Sequence, residues 1–232
     1  MKQCWFVTGT DTNVGKTICT ILLLILAKNS GYHAVGYKPV ASGSNKNNGK
    51  NSDALLLQRF STIKLTYSEV NPFFFPESIS PHLASKKYSI PICTDKLSLG
   101  LHNLKKKSNY VLVEGAGGWH TPLSEKITFS NWVIKEKLSV ILVIGIKLGC
   151  INHAILTQQA ILDAGVTFLG WIVNYLSPIN KYDFEYIIIL KKYLKSQFLG
   201  YVKHFKNIDK FYNSNITIIL PNAKNELTKN AK

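Results

Sequence analysis

The stretch Val7-Thr-Gly-Thr-Asp-Thr-Asn-Val-Gly-Lys-Thr17 decides the fold of this chain. A short apolar run from Cys4 to Val7 leads into it, and a nearly all-apolar segment from Ile18 to Ala27 follows it. A strand, a glycine-bounded loop, a Lys-Thr pair and a helix form the layout of a phosphate-binding loop. Backbone N–H groups and the helix N-terminus would surround the phosphates. Lys16 would then reach the β- and γ-phosphates, and the Thr17 hydroxyl would bind Mg²⁺.

The spacing of this loop differs from the common pattern, because five residues separate Gly9 from Gly15 and the usual spacing is shorter. The other interpretation is a glycine turn followed by an incidental Lys-Thr pair. The strand before the loop and the apolar helix after it favour phosphate binding, since they supply the context that the motif needs.

The length and composition of the chain are typical of one soluble globular domain. Its 232 residues are enough for a single hydrophobic core, and 46% of them are hydrophobic while 18% are charged. No repeat or linker divides the sequence. We therefore expect one domain over residues 1–222 and a polar C-terminal tail over residues 223–232.

The cysteines and histidines are scattered and predict no metal cage. The four cysteines, with no Cys-x-x-Cys pair among them, are Cys4, Cys19, Cys93 and Cys150. Reduced thiols are typical of a cytosolic protein. A strand and a polar loop follow Lys2 at once, so no apolar signal-peptide region is expected. The apolar run after Thr17 is too short to span a bilayer, and we expect a cytoplasmic protein.

The formal net charge is +15 at pH 7, a value that is compatible with nucleic-acid or membrane-surface binding. The lysines nevertheless occur in small separate groups, such as Lys105–Lys107 and Lys191 with Lys192 and Lys195. No arginine-rich helix or aromatic ladder accompanies them. The pattern favours a solvated basic surface, and we expect neither a nucleic-acid partner nor a membrane partner.

Apolar strands alternate with helical segments along the chain. The expected strands cover residues 4–7, 33–37, 110–113, 139–144, 167–173, 199–202 and, more weakly, 216–220. The expected helices cover residues 18–27, 52–58, 95–107, 128–137, 152–164 and 181–195, with a short one from residue 82, irregular chain over 71–76 and Ser52 as an N-cap. This alternation predicts an α/β chain with a P-loop NTPase-like three-layer fold and a mostly parallel central sheet.

Polar residues directly follow several of the expected strands. Lys38, Glu114 and Asn174 occupy such positions, as does the loop from Gly9 to Thr17. Because the carboxyl ends of parallel strands meet at one edge of a sheet, we expect these residues to gather around one site.

Three oxygen donors, Thr17, Asp53 and Glu114, would suit one Mg²⁺, which prefers a few hard oxygen ligands and keeps several waters. Glu114 follows the apolar run Val111-Leu-Val, and an acid in that position is a usual second metal anchor in phosphate-loop enzymes. The alternative for Glu114 is a cap on the glycine turn that follows. The alternative for Asp53 is an ordinary acid in the first turn of a helix.

Lys38 precedes a proline that stiffens its backbone. A second lysine beside Lys16 would concentrate positive charge where a transferring phosphoryl group spreads its negative charge. A solvated lysine at a strand end is the alternative. Gly115, Gly117 and Gly118 would let the backbone approach a ligand closely.

Five motifs resemble those of ATP-dependent dethiobiotin synthetases, in the same order from about Trp5 to Tyr186. They are Gly9-Thr-Asp-Thr-x-Val-Gly-Lys-Thr17, Gly36-Tyr-Lys-Pro-Val-Ala-Ser-Gly43, Asn51-Ser-Asp53, Val113-Glu-Gly-Ala-Gly-Gly118 and Lys147-Leu-Gly-Cys-Ile-Asn-His153. The resemblance implies a homodimeric ligase with active sites near the subunit interface. Its substrate 7,8-diaminononanoate would take up CO₂ as a carbamate, which ATP would phosphorylate. Attack by the second amine would give dethiobiotin, ADP and phosphate.

The resemblance also implies roles for individual residues. Lys38 and Lys16 would act in catalysis on the carbamate and the γ-phosphate, while Thr17, Asp53 and Glu114 would hold Mg²⁺. The ATP-binding residues would be Asn13, Val14, Gly15, Lys16, Thr17, Ile18, Asp53, Glu114, Gly115, Ala116, Gly117, Asn174, Tyr175, Lys203, His204 and Phe205. The substrate-binding residues would be Thr12, Ser42 and Gly118, with Cys150, Ile151, Asn152 and Tyr186 holding the substrate carboxylate across the dimer.

Two features depart from the resemblance. Asn13 stands where it implies an acid, and Gly200-Tyr-Val-Lys-His-Phe205 lacks the proline that it implies after the strand. The second departure concerns the wall of the adenine pocket.

Two other classes carry similar loops. Cobyrinate-type amide ligases usually continue into a glutaminase domain with a cysteine on a sharp Gly-rich turn, and none of the four cysteines has that setting. Partitioning ATPases would suit the basic charge. They usually carry an extra lysine early in the phosphate loop, and Gly9 to Asn13 contains none.

Overall fold

The computed structural model describes residues 2–44, 49–204 and 217–221, in which strands and helices alternate along most of the chain. The strands are β1 Gln3–Gly9, β2 Ala34–Tyr37, β3 Val40–Ser42, β4 Phe73–Phe75, β5 Tyr110–Gly118, β6 Ser139–Ile146, β7 Phe168–Tyr175 and β8 Gln197–Val202. The helices are α1 Lys16–Asn29, α2 Ser52–Phe60, α3 Tyr67–Val70, α4 Pro81–Lys87, α5 Thr94–Lys107, α6 Phe129–Lys135, α7 Cys150–Asp163 and α8 Asp183–Tyr193.

Six strands form the central sheet, in the order β2-β5-β1-β6-β7-β8. All of their pairings are parallel. Trp5, for example, lies opposite Leu112 on one side and Ser139 on the other. Helices flank the sheet, with α1 against β1, β2 and β5, and α7 against β6 and β7. The predicted mostly parallel sheet is confirmed, and the carboxyl ends of its strands share one edge.

The core explains why these strands have continuous apolar sequences. Residues Val140–Ile144 of β6 are fully buried, and so are Leu23 and Leu24 of α1. A parallel sheet covered on both faces leaves no solvated side for polar residues. The helix-covered core therefore accounts for the apolar runs read from the sequence.

Several elements extend beyond their predicted ends. Glu114 lies inside β5 and Asn174 lies inside β7, so the expectation that each follows a strand is wrong. Backbone pairing continues past the apolar runs, since Gly9 pairs with Gly118 and Gly145 with Asn174. Helix α7 likewise begins at Cys150, two positions before the predicted start at residue 152.

A second, two-stranded sheet was not expected. Strands β3 and β4 pair in parallel, Val40 with Phe73 and Ser42 with Phe75. The prolines around residues 73–75 favoured irregular chain, but Phe73 and Phe75 are buried and their backbone is paired. Helix α3 was also missed, although Thr66 and Glu69 form the capping box that marks such a helix start.

Two smaller predictions are also wrong. Asn51, rather than Ser52, caps α2, and its side-chain oxygen accepts from the Ala54 N–H at 3.1 Å. Residues 217–221 form no strand; Ile218 makes an isolated antiparallel bridge with Gly200. The predicted tail over 223–232 and the site residue Phe205 lie outside the described residues. In the described ranges, no helix has the length and apolar character needed to cross a membrane.

Candidate active site

A cavity of about 920 Å³ opens at the carboxyl ends of β1, β2 and β5. Thr12, Asn13 and Gly15–Ile18 line one part of it. Lys38, Asp53 and Glu114 line it as well. The structure therefore brings together the phosphate loop, both predicted catalytic lysines and all three predicted metal ligands.

The phosphate loop owes its shape to a few backbone positions. Gly15 has φ 90° at the start of α1, and Asn13 has φ 59°. Asparagine tolerates this left-handed conformation better than most residues with a side chain, so Asn13 suits its place in the turn. A Cβ on Gly9 would lie 2.6 Å from Cγ2 of Val14, which requires glycine there.

Lys16 is buried beside the loop that it belongs to. Its Nζ donates to the Asp11 carbonyl at 2.9 Å. Burial, reinforced by the charge of Lys38, lowers the pKa of Lys16 to about 8. The carbonyl of Asp11 thus fixes the direction of the ammonium group, and the low pKa makes its charge sensitive to mildly alkaline pH.

Lys38, Asp53, Glu114 and Thr17 form one polar cluster. Lys38 Nζ lies 2.5 Å from Glu114 Oε1 and 3.3 Å from Asp53 Oδ2. The Thr17 hydroxyl donates to the same Glu114 oxygen at 2.7 Å. Lys38 is 4% exposed and Glu114 is 0% exposed. Lys38 is therefore not the solvated lysine of the alternative interpretation.

The charges in this cluster stabilise one another. Burial acts to lower the pKa of Lys38, but the charges of Glu114 and Asp53 outweigh it and raise that pKa well above its ordinary value. Burial acts to raise the pKa of Asp53, but the charge and hydrogen bond of Lys38 hold it below its ordinary value. Lys38 therefore stays cationic and Asp53 anionic at neutral pH.

The oxygen atoms around this cluster fit a Mg²⁺ ion. Glu114 Oε2 is buried and has no hydrogen-bond partner, and the Thr17 hydroxyl and the Asp53 carboxylate lie in the same cavity wall. No group of three or more His, Cys, Asp or Glu side chains suited to a metal occurs in the part of the chain that the structure describes. Two carboxylates and a hydroxyl suit Mg²⁺, which takes its remaining ligands from water and phosphate.

The glycines at the end of β5 have different roles. A Cβ on Gly115 would lie 2.7 Å from Cζ of Phe6, so that glycine is needed for packing against a core ring. Its carbonyl accepts from Lys38 Nζ at 3.3 Å. Ala116, Gly117 and Gly118 line the cavity, and so do the predicted substrate residues Thr12 and Ser42.

The predicted adenine-binding residues lie away from the lining of this cavity. Asn174 is buried, and its Nδ2 donates to the Val14 carbonyl at 3.0 Å. A Cβ on Gly15 would lie 2.1 Å from that nitrogen. Tyr175 is also buried. Asn174 thus connects β7 to the phosphate loop, while Lys203 is exposed and His204 half-buried just after β8.

The residues predicted to hold the substrate carboxylate form a separate group. Cys150–Asn152 begin α7, and Tyr186 is half-buried on α8. The Cys150 N–H donates to the Lys147 carbonyl at 3.0 Å. None of these residues lines the cavity at the phosphate loop.

Sequence reasoning missed several residues around the cavity. Asn51 and the segment 78–81 line it. Lys147 Nζ reaches Asp11 Oδ2 at 2.5 Å, and this contact holds the pKa of Asp11 below its ordinary value. Asp11 lies in the first of the five motifs and Lys147 in the last. Their positions in the sequence did not indicate that the two side chains contact each other.

Comparisons with known proteins show which proteins this chain is similar to. The family model described as an AAA domain matches residues 3–211. An ATP-dependent dethiobiotin synthetase of Buchnera aphidicola subsp. Baizongia pistaciae is 54% identical over 224 residues, covering 95% of this chain and 99% of that protein. The dethiobiotin synthetase 1 of Escherichia coli K12 is 51% identical over 202 residues, covering 86% and 90% respectively.

Solved structures of more distant proteins share the fold. A ParA family ATPase from Chlorobium tepidum has a TM-score of 0.56 at 11% identity, covering 89% of this chain and 86% of the other. The MinD cell division protein of Aquifex aeolicus has a TM-score of 0.54 at 15% identity, covering 91% and 86%. At such low identity the likeness concerns the fold alone, and it confirms the predicted P-loop NTPase-like architecture.

Proposed function

The chain belongs to the family of ATP-dependent dethiobiotin synthetases, and we propose on this basis how its residues close the ureido ring of dethiobiotin. The reaction consumes 7,8-diaminononanoate, CO₂ and ATP in biotin biosynthesis. The observation that carries the assignment of residues is the meeting of Lys16, Lys38, Thr17, Asp53 and Glu114 in one cavity.

The chemistry explains why two lysines are needed. One amine of the substrate adds to CO₂ and loses a proton, which leaves a carbamate anion. A carbamate oxygen then takes the γ-phosphoryl group of ATP and releases ADP. The second amine attacks the carbonyl carbon and loses a proton, so that a C–N bond forms, the C–O bond to the phosphate breaks and phosphate leaves. Carbamate and ATP are both anions, and fixed cations are required to bring them together.

Lys16 and Lys38 supply these cations in different ways. Lys16 belongs to the phosphate loop, and we assign it to the γ-phosphate of ATP. Lys38 comes from the end of β2 and stays cationic because of Glu114 and Asp53. We assign it to the carbamate and to the charge that develops on the transferring phosphoryl group.

Thr17, Asp53 and Glu114 would hold Mg²⁺. When bound, this ion neutralises charge on the β- and γ-phosphates. The buried and unpartnered Oε2 of Glu114 supports the assignment. Glu114 Oε1 meanwhile accepts from both Lys38 and Thr17, so one carboxylate holds the lysine and the hydroxyl in fixed relative positions.

The diamine end of the substrate would lie against Thr12, Ser42 and Gly118, which line the cavity. Cys150, Ile151, Asn152 and Tyr186 do not line it. The resemblance to dethiobiotin synthetases implies that they act in the neighbouring subunit's site, where the N-terminus of α7 would bind the substrate carboxylate. Exposed apolar side chains of the same region, Leu148 at 91% and Phe184 at 53%, support a homodimer that covers them.

Asn174 and Tyr175, with Lys203, His204 and Phe205, would form the adenine side of the ATP site. The bond from Asn174 to Val14 supports this, because it places an amide next to the loop that holds the phosphates. The other members of the predicted ATP site belong to the phosphate loop, the start of α1 and the end of β5, and they are Asn13, Val14, Gly15, Ile18, Gly115, Ala116 and Gly117.

The basic charge of the chain does not by itself require a nucleic-acid or membrane partner. Several surface lysines are paired with acids, including Lys87 with Glu77 and Lys135 with Asp95. Such pairs are typical of a solvated surface. We propose a cytoplasmic enzyme with one domain over residues 1–222 and no nucleic-acid or membrane partner.

The direct test is incubation of the purified protein with diaminononanoate, bicarbonate and MgATP, followed by mass analysis. The expected result is a cyclised product formed in equal amount with ADP. ADP production that does not depend on the diamine, with no cyclised product, would refute the proposed function.

A further inference from the structure

Three polar residues outside the proposed catalytic set form a continuous chain of hydrogen bonds. The backbone N–H of Asn51 donates to the Tyr67 hydroxyl at 3.0 Å. That hydroxyl donates to Asn71 Oδ1 at 2.9 Å. Asn71 Nδ2 then donates to the Lys38 carbonyl at 2.6 Å. The chain thus runs from the start of α2, through α3, to the backbone of a predicted catalytic lysine.

The Lys38 end of the chain is held on both sides. The Lys38 N–H donates to the Val70 carbonyl at 2.8 Å, while its carbonyl accepts from Asn71. Asn71 is 3% exposed, and its Nδ2 also donates to the Phe73 carbonyl at 3.1 Å. Both backbone polar groups of Lys38 are therefore bound to the end of α3 and the residue after it. This fixes the point from which the lysine side chain reaches Glu114.

The Asn51 end of the chain joins two other parts of the site. Asn51 Nδ2 donates to the Gly43 carbonyl at 2.9 Å, next to the predicted substrate residue Ser42. Asn51 Oδ1 caps α2, which carries Asp53 in its first turn. Asn51 is 6% exposed. One side chain therefore fixes the substrate loop against the helix that presents Asp53.

We propose that Asn51, Tyr67 and Asn71 are positioning residues that hold Lys38, Asp53 and Ser42 in their relative places for phosphoryl transfer. The inference rests on the proposed function of these three site residues. Every donor and acceptor along the chain has a partner, so removal of one member leaves a buried group unpaired. Because reaction rates depend steeply on alignment, a small shift of Lys38 or Ser42 lowers turnover.

Tyr67→Phe is the first test, since it removes only the central hydroxyl and keeps the ring that packs against Phe74. Its matched control is Tyr37→Phe, because the buried Tyr37 hydroxyl donates to the Leu97 carbonyl on α5, outside the chain of bonds. We expect Tyr67→Phe to lower kcat about tenfold without changing the Kd for ATP. Tyr37→Phe loses thermal stability but keeps wild-type turnover.

Asn51→Ser separates positioning from helix capping. Serine caps a helix about as well as asparagine, but it has no amide to donate to the Gly43 carbonyl. We expect Asn51→Ser to keep the helix cap, to lose some thermal stability with the bond to Gly43, as Tyr37→Phe does with its own bond, and to lose kcat/KM for the diamine by about tenfold. Wild-type kcat/KM in this variant would show that Asn51 is only a cap, and would overturn the inference for this residue.

Hydrogen exchange followed by mass spectrometry gives a readout that needs no enzyme activity. In Tyr67→Phe, peptides covering residues 38–44 and 51–56 exchange faster than in wild type, and Tyr37→Phe leaves them unchanged. Equal exchange in wild type and Tyr67→Phe would overturn the inference whatever the activity. If the wild-type protein makes no cyclised product but Tyr67→Phe alters hydrogen exchange as expected, the proposed function is refuted. The structural role of the hydrogen-bond chain from Asn51 to Lys38 is then still supported.

Discussion

The ammonium nitrogen of Lys38 lies 2.5 Å from Glu114 Oε1, and both side chains are withdrawn from solvent. The charge of each side chain compensates for the burial of the other. A buried carboxylate needs a cation or a metal near it, and a buried ammonium needs an anion. The pair therefore supports a charged lysine in the site that we propose to bind two anions, ATP and carbamate.

Lys38→Ala should lower kcat by about 10²–10³-fold while the Kd for ATP changes little, because we assign the lysine to the charge that develops during phosphoryl transfer. Steady-state kinetics and nucleotide titration measure the two effects. Lys135→Ala is the control, since Lys135 pairs with the exposed Asp95.

Removal of Lys38 leaves Glu114 buried without its cation, so thermal unfolding is measured as well. Lys38→Gln, which keeps a donor for Glu114, should fold and still be slow. Parallel loss of ATP affinity and rate would make Lys38 a nucleotide anchor instead.

Asp53→Asn should raise the Mg²⁺ concentration that gives half-maximal rate, because an amide is a weaker ligand for this ion than a carboxylate. Asp95→Asn is the matched control: Asp95 is also a first-turn acid of a helix and also pairs with a lysine. Titration of the rate with Mg²⁺ measures the effect. If the Mg²⁺ dependence of the rate is the same in Asp53→Asn as in wild type, Asp53 is an ordinary acid in the first turn of α2 and not a metal ligand.

Burial lowers the pKa of Lys16 to about 8. The affinity for ATP should therefore fall as the pH rises through this value. Below this pH the ammonium is charged and attracts phosphate, whereas above it the free protein must take up a proton before ATP binds. The expected slope is about tenfold in Kd per pH unit above the pKa. Calorimetric titration at several pH values measures it. Lys16→Met should bind weakly with a flat profile; the same slope in Lys16→Met would assign the titration to another group.

Mixing Lys38→Ala with Tyr186→Asp should restore activity if each site is shared by two subunits. In a mixed dimer one site collects both defects and the other collects none. Random re-pairing makes about half of the dimers mixed, so about one site in four recovers. Product formation is measured after mild dissociation and re-association. No recovery, with subunit exchange shown independently, would place Tyr186 in the site of its own chain.

Local sequence predicted the phosphate loop and the parallel sheet, since both depend on neighbouring residues. Gly9, Gly15 and the Lys16-Thr17 pair lie within one short segment, and buried parallel strands must be apolar on both faces. Lys38, Thr17 and Glu114 could be expected at one place because strand ends meet at one edge of such a sheet. The exact end of β5 could not, because it depends on the pairing of Gly9 with Gly118.

Tertiary structure alone decided which distant residues meet. The link runs from Asn51 through Tyr67 and Asn71 to Lys38, and it joins the starts of α2 and α3 to the residue after β2. Asn51 lies 16 positions from Tyr67, and Asn71 lies 33 positions from Lys38. Only Asn51 lies in one of the five motifs, and its spacing does not show which residues it contacts. The pairing of Lys147 with Asp11 is of the same kind. Hydrogen bonds of this sort depend on distances of a few tenths of an ångström between separately formed elements. Helix and strand periodicity determines the elements, whereas the packing between them determines these contacts.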